Sequence, residues 1–325
     1  MQQVTTRPTT GLRTPKVLPP ELGAAAKPAT AAPTATTATR STIGAYVALM
    51  KPHVTVLLLG TTLAAMAVAP GGGLSLGLVL ATLVGGALAA GSANAINCYW
   101  DRDIDQLMAR TRGRPLPSGR VSDAHALRFG LALGVASFLI FAIFVNLLSA
   151  LLAVAAILFY VGIYTMWLKR TTPQNIVIGG AAGAVPVLIG WAAVTNSIAL
   201  PAVLMFLIIF LWTPPHFWAL SLVLKKDYAR AGVPMLPVVK GEAETYKQIL
   251  LYTLVLVASS LALVVTRAMG AFYLVSALLL GGYLLGAVVW LLRTRTLKSA
   301  RSVFWFSNYY LALLFAAMVL DRVLR

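Results

Sequence analysis

Long apolar runs recur from near residue 45 almost to the end of the chain, and they leave few folds open. A run of about twenty such residues crosses a hydrocarbon core as a helix, because lipid offers no water to an unpaired peptide group. Nine spans are predicted, at roughly 45–69, 74–98, 124–145, 147–168, 175–195, 198–222, 246–266, 270–292 and 303–321. The expected fold class is all-α, a polytopic membrane protein whose nine transmembrane helices occupy residues 44–325. Hydrophobic residues make up 59% of the 325, which fits that class and excludes a soluble domain.

A formal net charge of +17 invites a nucleic-acid reading, but the placement of the charges argues against it. They sit in the connections between spans, where Lys and Arg set topology. Putting the N-terminal stretch and the four longer connections, with the helix ends beside them, on one side collects 23 Lys and Arg there, against Arg267, Arg322 and Arg325 on the other. The orientation expected is N-terminus cytoplasmic and C-terminus outside, with no nucleic-acid partner. Residues 1–43 are rich in Thr, Ala and Pro and are read as a disordered cytoplasmic tail. Their composition resembles an organelle transit peptide, but the prolines oppose the amphipathic helix such a peptide needs. A bacterial cell (inner) membrane is therefore favoured over a mitochondrial one. The single cysteine, Cys98, excludes an internal disulfide and is read as a small packing residue.

The most informative polar stretch runs from Asn94 to Arg120 and holds Asp101, Asp103 and Asp105, three of nine acidic residues. Asn97, Asp101 and Asp105 are spaced i, i+4, i+8. A helix continuing through them puts all three on one face, with Asp103 pointing elsewhere. Two carboxylates so placed repel unless a cation sits between them. Arg102, Arg110, Arg112, Arg114 and Arg120 follow. Oxygen ligands for a divalent metal beside clustered arginines suit a polyphosphate bridged through Mg²⁺. The alternative is a solvated turn of mixed charge.

Two further loops emerge on the same side. One carries Lys225, Lys226, Asp227 and Arg230; Asp101 and Asp227 lie four spans apart, as two related halves would place them. The other carries Tyr164, Lys169 and Arg170. Convergence of three loops, rather than any one residue, argues for a diphosphate site. In span six, His216 follows Pro214 and Pro215 between Trp212 and Trp218. An ionisable group at membrane depth is a functional candidate, either a haem ligand or a pocket residue; the alternative is a histidine hydrogen-bonded to a neighbouring helix. His53, at the head of span one, is a weaker candidate, and His125 is expected to cap span three. Gly179, Gly180, Ala181, Ala182 and Gly183 in span five allow close helix approach or room for a flat substrate, and Pro186 is expected to kink that helix.

These residues carry a resemblance. NCYWDRDIDQLMARTRGRPLPSG resembles the first aspartate-rich motif, NxxxDxxxD, of the UbiA superfamily of intramembrane prenyltransferases. LKRTTPQNIVIGGAAGAVPVLIGW, TPPHFWALSL and DYARAGVPMLPVVKG look like the segments that mark its haem-modifying branch, the protohaem IX farnesyltransferases. The likeness covers about residues 45 to 321. Many members have a second DxxxD; here Ala231 stands four residues after Asp227. The branch often has arginine where this chain has His53.

The resemblance implies a UbiA-like bundle and transfer of the farnesyl group of farnesyl diphosphate to a vinyl of haem B, giving haem O for terminal oxidases. It implies Mg²⁺ on Asn97, Asp101, Asp105 and Asp227, the residues of catalysis together with Tyr164. Diphosphate oxygens would be held by Arg102, Arg110, Arg114, Lys169, Arg170 and Lys226. Haem would be bound or oriented by His216, with His53 a lesser candidate. Tyr164 and Trp100 would stabilise an allylic cation. The partners implied are farnesyl diphosphate, haem B, the lipid bilayer and, downstream, haem A synthase or oxidase assembly proteins. The rival enzyme is a prenyltransferase acting on an aromatic quinone precursor, which TPPHFW opposes. The rival outside enzymes is a transporter, which the placement of acids at one membrane edge opposes.

Overall fold

The computed structural model describes residues 42–71 and 74–325. The N-terminal stretch read as a disordered tail lies outside the described residues, apart from its last two positions. Among the described residues the chain is entirely helical. In order the elements are α1 (Thr42–Leu49), α2 (Pro52–Val68), α3 (Leu76–Trp100), α4 (Arg102–Leu107), α5 (Asp123–Phe144) and α6 (Leu147–Leu158). A π-helical segment, Phe159–Leu168, then leads into α7 (Lys169–Thr171). Next come α8 (Asn175–Thr195), α9 (Leu200–Val223), α10 (Lys225–Arg230), α11 (Leu236–Val239), α12 (Gly241–Val265), α13 (Ala271–Thr294) and α14 (Leu297–Leu324).

Eight helices, counting Leu147–Thr171 as one, are long and apolar enough to cross a membrane, and α1 with α2 makes a ninth if the bent pair is one span. That pair covers the first predicted span, which is broken rather than continuous. The helix breaks at Met50–Lys51 and bends by 49°. Pro52 explains the break: its nitrogen has no hydrogen to donate, and its ring pushes the preceding residue out of the right-handed helical region. Lys51 takes a left-handed conformation, φ 51° and ψ 60°. Asn94 Nδ2 then caps the broken end, donating to the Met50 carbonyl at 3.1 Å.

Elsewhere the predicted spans hold, with ends that differ most where helices outrun the hydrocarbon. α12 starts at Gly241 and α14 at Leu297, five or six residues earlier than apolar content indicates, because Glu242, Glu244, Lys298 and Arg301 are compatible with a helical turn in the polar layer. α5 is capped by the Ser122 hydroxyl rather than by His125, whose ring pairs with that hydroxyl at 2.8 Å.

The main core lies between α2, α8, α9, α12, α13 and α14, around Trp191, Trp212, Tyr273, Tyr310 and Phe315. Large apolar side chains such as Leu131, Val135, Ile143 and Leu279 face outward, as lipid allows. Small residues set the closest helix approaches. A Cβ at Gly190 would sit 2.3 Å from the Thr62 carbonyl oxygen of α2. One at Gly179 would sit 2.2 Å from the Tyr164 ring. The glycine-rich run of α8 therefore packs, except at Gly183, where the space within 4 Å is open.

Candidate active site

The site is built at the end of the bundle that carries the long connections. α3 stops at Trp100, and Asp101, at φ −86° and ψ 4°, joins it to α4. The backbone ladder survives this joint: Asp101 N–H donates to the Asn97 carbonyl at 2.9 Å, and Asp105 N–H to the Asp101 carbonyl at 2.8 Å. Asn97, Asp101 and Asp105 thus keep the i, i+4 succession although the helix changes element. All three are buried, at 3%, 0% and 1% exposure. Burying two carboxylates together is costly unless each is paired.

Each is paired. Lys169 Nζ binds Asp101 Oδ2, and Arg170 stands 3.7 Å from Asp101 Oδ1. Arg114 Nη1 donates to both Asp105 oxygens, at 2.9 and 2.8 Å. Asn97 Nδ2 donates to Asp101 Oδ2 at 2.7 Å and to Thr165 Oγ1 at 3.1 Å. Its Oδ1 accepts from Lys51 Nζ at 2.9 Å. Asp103 points away, as the spacing requires, and takes a two-pronged contact from Arg170 at 2.7 Å on each oxygen. That guanidinium holds the Asp103 carboxyl down at about 2.

The π-helical segment explains how Lys169 arrives. Its i→i+5 repeat brings Tyr160 and Thr165, and Tyr164 and Lys169, toward a common face that an α-helix would separate. Tyr160 comes within electrostatic reach of Asp101, Asp105 and Arg114, and its ring lies 5.3 Å from that of Tyr164.

The second polar loop closes over the first through apolar contacts. Ile104 and Met108 pack with Tyr228, Val233 and Met235, with Tyr164 and Phe217 at the margin. Burial pushes the Tyr228 phenol up, and Arg110, hydrogen-bonded to it, pulls the other way.

Several expected residues stand elsewhere. Asp227 is 21% exposed and pairs at 3.6 Å with Arg230 of its own helix. Lys226 is exposed. Arg102 bonds Asp123 at 2.8 Å and stacks on Tyr99 at 4.6 Å, away from the paired carboxylates. Trp100 lies at the surface, its carbonyl bound by Arg170 at 3.0 Å. His53 is exposed at the start of α2. His216 lies apart, inside the bundle, stacked between Trp212 at 4.3 Å and Phe304 at 4.6 Å. Its Nδ1 is 2.8 Å from Ser307 Oγ, and that hydroxyl donates to the Phe304 carbonyl at 2.7 Å. With the serine proton given to that carbonyl, Nδ1 would carry the hydrogen and Nε2 would be the basic nitrogen. Sequence reasoning passed over Lys51, Tyr160 and Thr165. Lys51 had a visible signal, a cation set before a proline inside an apolar run.

Among the described residues no three His, Cys, Asp or Glu side chains converge on a metal-sized space. The oxygen donors are Asn97, Asp101 and Asp105, and their hardness suits Mg²⁺. Asp101 Oδ1 is buried without a hydrogen-bond partner, the mark of a ligand oxygen that a cation would satisfy.

The family model described as the UbiA prenyltransferase family matches residues 58–315. Protoheme IX farnesyltransferase of Symbiobacterium thermophilum is 56% identical over 278 residues, covering 85% of this chain and 93% of that one. The protein of the same name from Roseiflexus sp. is 54% identical, covering 86% of this chain and 52% of its own longer sequence. Among solved structures, one of a digeranylgeranylglyceryl phosphate synthase matches with TM-score 0.73 at 19% identity, covering 87% of this chain and 99% of that one. A UbiA homolog from Archaeoglobus fulgidus, bound to DMAPP and Mg²⁺, matches with TM-score 0.62 at 15% identity, covering 84% and 99%. The bundle is thus the one these proteins share, and the chain belongs to the UbiA prenyltransferase family.

Proposed function

We propose that this protein converts haem B to haem O, transferring the farnesyl group of farnesyl diphosphate to a haem vinyl with addition of water and release of diphosphate. The observation that carries this reading is 56% identity, across 93% of its length, to a protein named protoheme IX farnesyltransferase. TPPHFW, with His216 held by Ser307, supports haem over an aromatic quinone precursor as acceptor, and that alternative is not favoured.

Asn97, Asp101 and Asp105 would hold Mg²⁺, with Asp227 reaching in from the second loop. When bound, the metal supplies charge neutralisation that makes diphosphate a better leaving group. The chain's own residues do the rest. Lys169, Arg114, Arg110 and Arg170 hold phosphate oxygens and stabilise the charge that grows as the C1–O bond breaks. Lys226 would join them only by extending from its exposed place on α10, and Arg102 only by leaving Asp123. The half-buried ring of Tyr164 would face the allylic cation without attacking it. The vinyl carbon bonds to C1 and the bonding pair of C1–O leaves with diphosphate. Water then adds to the new cation and releases a proton. His216 orients the porphyrin through Nε2.

By the distribution of basic residues, the site opens to the cytoplasm of a bacterial inner membrane, with residues 1–43 as a tail ahead of the catalytic bundle. Haem A synthase or oxidase assembly proteins would take the product. The test is pigment analysis of membranes expressing the chain and supplied with haem B, farnesyl diphosphate and Mg²⁺. Chromatography with mass detection should find a haem heavier by a farnesyl group plus water. Unmodified haem from folded protein would overturn the reading and make an aromatic acid the next acceptor to try.

A further inference from the structure

Three cations make the close contacts to the three residues of the first motif, with Arg170 more distant at 3.7 Å from Asp101, and the three come from different places in the chain. Lys51, at the break between α1 and α2, holds Asn97 Oδ1 at 2.9 Å. Lys169 of α7 holds Asp101 Oδ2. Arg114, from the loop after α4, holds both oxygens of Asp105. Lys51 reaches its position from a left-handed backbone conformation, φ 51°. That region is uncommon for a residue with a side chain, and it is kept where the surrounding structure enforces it.

The formal charges make the arrangement informative. Lys51, Lys169 and Arg114 against the buried Asp101 and Asp105 give +3 − 2 = +1, and Arg170 is balanced by its close partner Asp103. A dication entering alone would raise this to about +3 in a setting of low dielectric, where unbalanced charge is costly. The second loop offers a single carboxylate, Asp227, which is already paired with Arg230. A diphosphate ester carries about −3 near neutral pH, so dication and diphosphate together bring the set to about zero.

We propose that Lys51, Lys169 and Arg114 exclude Mg²⁺ from Asn97, Asp101 and Asp105 until diphosphate arrives, and that Lys51 then moves onto a phosphate oxygen as a binding residue beside the other two. The proposal rests on the prenyl-diphosphate reading of the site, and needs nothing from the haem. Asp101 Oδ1, which lacks a hydrogen-bond partner and has Arg170 only at 3.7 Å, is the least committed of the ligand atoms. The other ligand atoms open as each cation shifts to phosphate, so metal and diphosphate bind as a coupled pair.

The test uses the full chain in lipid nanodiscs, Mn²⁺ as a spectroscopic probe read by electron paramagnetic resonance, and inorganic pyrophosphate. Affinity for Mn²⁺, corrected for the free Mn²⁺–pyrophosphate complex, should rise roughly tenfold or more when pyrophosphate is present, within the usual range for coupled sites. Lys51→Met should tighten binding of Mn²⁺ alone by roughly tenfold while weakening pyrophosphate. A merely structural lysine would move both the same way, and that result overturns the proposal. So does wild-type protein that binds Mn²⁺ equally well with and without pyrophosphate. Should Lys51→Met fail to fold, Lys169→Met carries the same opposite-sign test. Coupling observed in protein that makes no haem product supports the proposal and removes only haem as the acceptor; absence of any pyrophosphate binding overturns both.

Discussion

The two polar loops occupy corresponding places four spans apart, yet they treat their acids differently. In the first, Asp101 and Asp105 are fully buried and each is held by a cation from elsewhere in the chain. In the second, Asp227 is partly exposed and makes one 3.6 Å contact within its own helix. The difference follows from what covers each loop. α4 is shut in by the second loop itself, through Tyr228, Val233 and Met235, whereas Asp227 lies on the outer side of that cover. A buried carboxylate pair has to be compensated, and here Arg114 of the same loop and Lys169 from beyond the π-helical segment do so. A partly exposed one keeps some solvent and is met only by Arg230 of its own helix. The two loops therefore differ in what their acids can do, and the first should carry most of the metal chemistry.

Substitution of the acids tests this directly. Asp101→Ala or Asp105→Ala should abolish turnover, a loss of about 10³-fold or more, with the protein still folded in the membrane; product assay beside a size-exclusion profile measures both, and near-normal product from either would break the asymmetry. His216→Ala comes next. It should weaken haem binding by roughly tenfold or more and leave prenyl-diphosphate binding near its original value, since the histidine stands apart from the paired acids; separate titrations decide, and unchanged haem affinity removes the role. Asp227→Asn should cost less than the first pair, about tenfold in turnover, because one solvated carboxylate is lost with no buried cation left unpaired. Equal losses at Asp101 and Asp227 would restore symmetry between the halves.

The smallest effect is expected at Asp103, which shares the first loop and is 60% exposed. Its carboxyl sits at about 2 in the fold, against about 3.9 unfolded. A depressed value means the stabilisation is full above the unfolded value and is lost as pH falls toward 2. Given its exposure, Asp103→Asn should cost less than about 1 kcal/mol at pH 7. The difference should vanish near pH 2 in unfolding titrations.

Much of this was legible from residue patterns. Apolar length located eight straight spans, and the i, i+4, i+8 spacing placed Asn97, Asp101 and Asp105 on one path. What stayed hidden depended on backbone departures that no periodicity encodes. The spacing of Tyr164 and Lys169, five residues apart, has no meaning on an α-helix and acquires one only when the segment is π-helical. Lys51 looked like a topogenic charge until Pro52 was seen to turn the chain there. His216 was visible as an anomaly, but its stacking on Trp212 and Phe304 joins residues from separate helices and needs tertiary structure to appear.

The π-helical segment has a consequence for how this span tolerates change. It holds one residue more than the α-helix that would cover the same face, so the membrane thickness does not fix its length; angular phase does. Removing any one residue from Phe159–Leu168 would leave a stretch still long enough to cross the bilayer. It would also rotate everything after it, turning Lys169 off Asp101 and, for a deletion ahead of Tyr164, that ring off the glycine that receives it. In that span insertions and deletions are the severe lesions, while conservative substitutions on the lipid side should pass almost unnoticed.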